Sequence, residues 1–203
     1  MRNGAGWTLP EVLLVSALTA VVLLIVSGTL ASTARWTRLE SQRGFAMGQL
    51  QSSLAELESW LQRSCSAGVA YQPPSGSLPG VLAMHLQDPA AYSTTPLWEA
   101  HWTCLSWSPV RQELRQFVCP PVPAGVSPPR TQLPILPTPA QFAQIASSNS
   151  GRRRLLASDV TNFEYNLLVG PVAQVRLELE VDVGRTQSEK VQMSRKIYFR
   201  NRI

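Results

Sequence analysis

GWTLPE (Gly6 to Glu11) runs straight into VLLVSALTAVVLLIVSGTLAST (Val12 to Thr33), and the architecture turns on how these two strings are read. The second string has no charged residue and is rich in Val, Leu and Ile. About 20 such residues in a helix cross the hydrocarbon of a bilayer. One carboxylate, Glu11, stands at the head of the run. An ionised side chain in that setting costs roughly 2.5–3.5 kcal/mol at mid-bilayer on insertion scales and less at the interface. Such a group implies a partner. Pro10 fits the opening turn of a helix, where its missing N–H removes no intrahelical bond.

Only six residues precede Trp7, and Arg2 is their one charged side chain. A secretory signal peptide carries its small-residue cleavage site after the apolar stretch. Here the small residue, Gly6, comes before it. A short basic peptide, then Gly, an aromatic residue and Thr-Leu-x-Glu, resembles the class III leader of the type IV pilin family. The resemblance implies cleavage between Gly6 and Trp7 by a membrane-embedded prepilin peptidase, which also N-methylates Trp7. Trp7 becomes the first mature residue and Glu11 the fifth. Trp7 stands where the family usually has Phe. The implied role of Glu11 is an assembly salt bridge with the freed amine of a neighbouring subunit.

Beyond Thr33 the pattern changes to that of an amphipathic helix. Leu50, Leu54, Leu57 and Leu61 fall at helical spacing on one face. No Pro interrupts Glu11 to Arg63, so the sequence predicts one helix from Trp7 to about Arg63, roughly 85 Å long at ~1.5 Å per residue. Its halves are 7–33 in the membrane and 34–63 amphipathic, after a leader of 1–6. Residues 64–203 form a β-rich globular domain with a Pro-rich excursion over 120–150. Within it, Ser64 to Pro79 reads as loop, Val81 to Leu86 as a buried strand, and Gln141 to Ala146 as a short helix. Phe163 to Leu167, Val175 to Val183 and Val191 to Phe199 alternate apolar and polar residues, as strands with one buried face do. The turns Gly170-Pro171 and Gly184-Arg185 join them into an antiparallel meander. Its apolar face needs a cover, which the leucine stripe supplies. The fold class is α+β: a long N-terminal helix on an antiparallel sheet. The resemblance implies the same architecture, pilin-like. The order from Leu155 to Ile203 is similar to the larger minor pilins, such as J-type minor pseudopilins of type II secretion and W-type minor pilins.

The 203 residues hold 18 basic and 13 acidic side chains. Arg35, Arg38 and Arg43 follow the apolar run, which by the positive-inside rule favours a cytoplasmic C-terminus. The prepilin-type leader implies the opposite: a bacterial inner-membrane protein with a periplasmic C-terminal domain. Cys65, Cys104 and Cys119 lack metal-ligand spacing. Pairing Trp102–Trp107 with Leu114–Cys119 about Arg111-Gln112 sets Cys104 opposite Cys119, close enough for a disulfide after modest adjustment. Cys65 with either one, or three free buried thiols, are the alternatives. His85 and His101 sit in no catalytic or metal spacing. The sequence therefore predicts no enzyme, cofactor or metal.

The function implied is that of a minor pilin or pseudopilin at the tip of a filament or in its priming. Its partners would be other subunits, the peptidase, the inner-membrane assembly platform and lipid. Two alternatives stand beside it. One is a DNA-uptake pilin whose Arg152, Arg153 and Arg154 contact phosphates, with Trp98, Trp102 and Trp107 stacking on bases. The other is an uncleaved, membrane-anchored exported protein. Against these, Arg152 to Arg154 reads as a solvated loop and the tryptophans as sheet core.

Overall fold

The computed structural model describes residues 8–89, 97–119, 133–147, 153–184 and 187–200. Gly6, Trp7, Arg152 and 120–132 of the Pro-rich stretch lie outside these residues. The chain divides into two compact units, Met1–Arg43 and Gly44–Ile203. The helix α1 (Leu9–Gln62) runs from one into the other without a break, Gly44 and Gly48 included. At its end, Arg63 and Ser64 donate to the carbonyls of Trp60 and Leu61 at 3.0 and 3.1 Å. These i→i−3 bonds tighten the last turn.

In the second unit, Leu50, Leu54, Leu57 and Leu61 are all buried, as their spacing requires. They meet two antiparallel sheets. The first sheet is a five-strand meander in sequence order: β1 (Val69–Gln72), β2 (Gly80–Gln87), β3 (Trp98–Ser108), β4 (Glu113–Val118) and β5 (Arg154–Ala157). The second sheet is β6 (Val160–Leu167), β7 (Val172–Gly184) and β8 (Gln187–Tyr198), also in sequence order. The C-terminal meander read from the alternating residues is therefore present. On β7, Val175, Leu177, Leu179 and Val181 are buried in the core that holds the leucine stripe. Arg176, Glu178, Glu180 and Asp182 alternate with them, because successive strand side chains take opposite faces.

β2 does not alternate, since it is covered on both faces. Leu82, Met84 and Leu86 join the core under α1, whereas Val81 and Ala83 join a second apolar cluster. That cluster comprises Trp102, Cys104 and Phe117 on the strands and Cys119 just past β4, with Phe142 and Ile145 from α2 (Pro139–Ser147). A strand buried on both sides reads as a continuous apolar run. Polar ties join helix and sheets. Glu56 pairs with Arg154 of β5 at 2.7 Å, and Glu58 with Arg195 of β8. The Trp107 indole N–H donates to the Val160 carbonyl at 3.1 Å, linking the two sheets. The chain crosses between the sheets at Ser158-Asp159, where Asp159 adopts φ 58°. Aspartate tolerates that left-handed conformation better than most residues.

Three expectations need correction. The β3–β4 register differs by two residues from symmetric pairing about Arg111-Gln112: Cys104 lies opposite Phe117, and Cys119 opposite Trp102. The turn is centred on Val110-Arg111 because Gln112 closes it in a left-handed conformation, φ 53°. The Val160 N–H holds the Gln112 carbonyl there at 2.8 Å. All three cysteines are free and buried. Finally, Ser64 to Pro79 is not wholly loop. It holds a 3-10 turn (Ser66–Gly68) and β1.

Candidate functional site

The chemistry of the first unit is that of an apolar helix. From Val12 to Leu30 the large side chains are exposed, Leu24 at 71 % and Val15 at 45 %. The six hydroxyls between Val12 and Thr33 all donate to carbonyls three or four residues back. Ser16 bonds Leu13 at 2.9 Å, Thr19 bonds Val15 at 2.7 Å, and Ser27 bonds Leu24 at 3.0 Å. Thr29 bonds Val26 at 2.8 Å, and Ser32 and Thr33 share Thr29 at 2.8 and 2.9 Å. The segment thus presents no unpaired hydroxyl donor. Hydrocarbon demands this, because there is no water to satisfy one.

Glu11 sits in the first turn. Its Oε2 accepts the Thr8 backbone N–H at 2.9 Å and the Thr8 hydroxyl at 3.0 Å. This is the carboxylate arm of a capping box, in which the third helical residue reaches back to the N-cap amide. Its Oε1 accepts from no described residue. Glu11 is therefore half satisfied by its own helix, with one oxygen left for another donor. Sequence reasoning missed this cap, although Thr-x-x-Glu before an apolar run is its signal. The same signal, Thr138-x-x-Gln141, starts α2, where the Thr138 N–H donates to Gln141 Oε1 at 2.7 Å.

Beyond the end of α1, a charged cluster forms at the start of β3. Arg63 pairs with Glu99, and His101 Nε2 meets the other Glu99 oxygen at 2.9 Å. Burial alone would raise the Glu99 carboxyl, but the His101 bond and the Arg63 charge hold it below its usual range. The bond to Glu99 raises His101 in turn. His85 behind them is fully buried. Its Nδ1 accepts the Ile135 N–H at 2.9 Å, so Nε2 carries the proton and donates to the Glu99 carbonyl at 2.6 Å. Burial lowers the His85 pKa. The Trp102 indole N–H donates to the Ile135 carbonyl at 2.7 Å. β2 and β3 thus grip both backbone groups of one residue ahead of α2. Sequence reasoning missed this clamp, since nothing in the spacing of His85, Trp102 and Ile135 announces it.

Of the three arginines read as possible phosphate contacts, Arg152 lies outside the described residues, and the other two are engaged within the fold. Arg154 pairs with Glu56, and the Arg153 guanidinium lies 4.8 Å above the Phe117 ring. Trp98, Trp102 and Trp107 are buried in the sheets rather than displayed. Cys104 on β3 and Cys119 just past β4 stand diagonally across the ladder. The neighbouring Cys119 thiol and burial push the Cys104 thiol well up, and Cys104 in turn lowers Cys119. Compared with family models, curated proteins and solved structures, the chain matches none of them.

Proposed function

We propose that this chain is a minor pilin or pseudopilin. It is a structural subunit stored in the bacterial inner membrane by the first half of α1, with its sheet domain in the periplasm. From there it enters a type IV pilus or a type II secretion pseudopilus, at the tip or in priming. One observation carries the reading. A single helix has an uncovered apolar half headed by Glu11 and a second half whose leucine stripe is buried against antiparallel sheet. A membrane anchor alone needs no carboxylate at its head, and Glu11 keeps Oε1 open for a donor from outside the helix.

On this reading, prepilin peptidase cuts after Gly6, and the methylated Trp7 amine of one subunit pairs with Glu11 of another. Pairing offsets the desolvation of both groups. Leaving one alone costs about 3–5 kcal/mol. The test is mass spectrometry of the polypeptide extracted from cells that contain the peptidase. A mature chain starting at methylated Trp7 supports the proposal, and a six-residue head still in place refutes it.

A further inference from the structure

The first unit also holds a feature that neither anchoring nor assembly requires. Immediately after Thr33, α1 presents Arg35, Trp36 and Arg38. Trp36 is 66 % exposed, although large aromatic side chains elsewhere in the described strands are mostly buried. Neither arginine has an ion-pair partner among the described residues, and the Trp36 indole N–H donates to none of them. The first carboxylate after the span, Glu40, is paired with Arg43 at 3.3 Å and so does not neutralise them. At ~100° per residue, Arg38, Arg35 and Trp36 sweep about 160° of the helix surface.

Their height is set by the apolar run. Val12 to Thr33 covers about 33 Å at ~1.5 Å per residue, close to the ~30 Å of bilayer hydrocarbon. The next helical turn therefore falls in the headgroup layer. Tryptophan concentrates in that layer, since its ring is apolar and its N–H needs an acceptor. Guanidinium groups bind phosphate through paired N–H donors.

We propose that Arg35, Trp36 and Arg38 form a collar that grips lipid headgroups: the two guanidiniums on phosphates, the indole at the glycerol-ester level. The collar fixes how deep the stored subunit sits and therefore the height at which Glu11 is presented. The inference rests on the membrane storage proposed above. The chemistry is the same in either leaflet, so it does not depend on which side the sheet domain occupies.

The test uses the full chain reconstituted in phosphatidylcholine vesicles containing about one quarter phosphatidylglycerol. The chain has six tryptophans, so the Trp36 signal is taken as wild type minus Trp36→Phe. Lipids brominated near the carbonyls should quench that difference signal at least threefold more than lipids brominated near the chain ends. An Arg35→Gln/Arg38→Gln variant should stay membrane-bound, with this ratio reduced at least twofold. Equal or deeper quenching, or none, overturns the collar, and an unchanged ratio in the double variant overturns the phosphate grip. Loss of the wild-type chain from the vesicles in an alkaline wash refutes membrane storage itself, a result separable from the quenching outcomes.

Discussion

Acidification and alkalinisation should each destabilise the sheet domain through a different histidine. His85 is fully buried and neutral, with both ring nitrogens engaged. Protonating Nδ1 turns an acceptor into a donor facing the Ile135 N–H, so the bond is lost. Its folded pKa lies below the ordinary 6.5. Its contribution is therefore fully present above about pH 6.5 and is lost as pH falls toward the folded value. His101 behaves oppositely. Its folded pKa is raised by Glu99, so its contribution is full below about pH 6.5 and fades as pH rises through the folded value. That contribution is the smaller one, because His101 is 40 % exposed and solvent screens the pair. The groups facing His85 are Glu99 and, beyond it, His101 and Arg63, and Glu99, held below its usual range by His101 and Arg63 against the effect of burial, titrates below this window. Stability should therefore peak near pH 6.5 and slope away on both sides, by at most ~1.4 kcal/mol per pH unit for each group. His85→Gln should flatten the acid limb between pH 6.5 and 5, and His101→Gln the alkaline limb. His85→Ala would orphan a buried N–H and a buried C=O and open a cavity, costing about 3–5 kcal/mol at neutral pH. The assay is urea unfolding of the detergent-solubilised chain, followed by near-ultraviolet circular dichroism. An acid limb that persists unchanged in His85→Gln refutes the argument.

Other consequences are simpler to check. Leu54→Ala removes a fully buried side chain from the face that meets the sheets and should cost about 2–5 kcal/mol in the same unfolding assay. Glu56→Gln and Arg154→Gln, combined in a double-mutant cycle, should show no more than about 1 kcal/mol of coupling, because the arginine is largely exposed. Alkylation under native conditions should label Cys119 before Cys104, whose thiol is deeply buried and raised. Peptide mass spectrometry would give the order.

The parts of the fold that could be read were those with a strong period and one buried face. The leucine stripe and the alternation of β7 specify an orientation that water enforces, and both are where the periods put them. β1 and β5 escaped because four residues are too few to show a period. The Cys104–Cys119 register was misjudged because it depends on one backbone angle at Gln112, an unusual residue for a left-handed conformation. Symmetry of the flanking residues cannot reveal that angle. At the site, Glu11 stood out as a charge beside an apolar run, whereas its cap on Thr8 went unread although Thr-x-x-Glu is its signal. The His85–Ile135–Trp102 clamp joins residues up to 50 positions apart, and only the folded chain brings them together.

The cap changes how Glu11 must be tested. Replacing it by Leu removes two things at once, the charge and the acceptor for the Thr8 N–H. Failure of that variant to assemble could reflect a frayed helix start. Gln separates the two, because its side-chain oxygen still reaches the N-cap amide in a capping box but carries no charge. If Glu11 acts in assembly by neutralising a neighbour's amine, Glu11→Gln must fail almost as badly as Glu11→Leu. The unpaired amine costs about 3–5 kcal/mol, and even the lower figure is a loss of roughly a hundredfold in an equilibrium. Quantitative recovery of the chain in sheared filaments, relative to the membrane-bound pool, measures it. Wild-type recovery of Glu11→Gln beside failure of Glu11→Leu would make Glu11 a helix cap and nothing more. The charge at the head of the apolar run would then have no assembly role, however well the rest of the chain fits one.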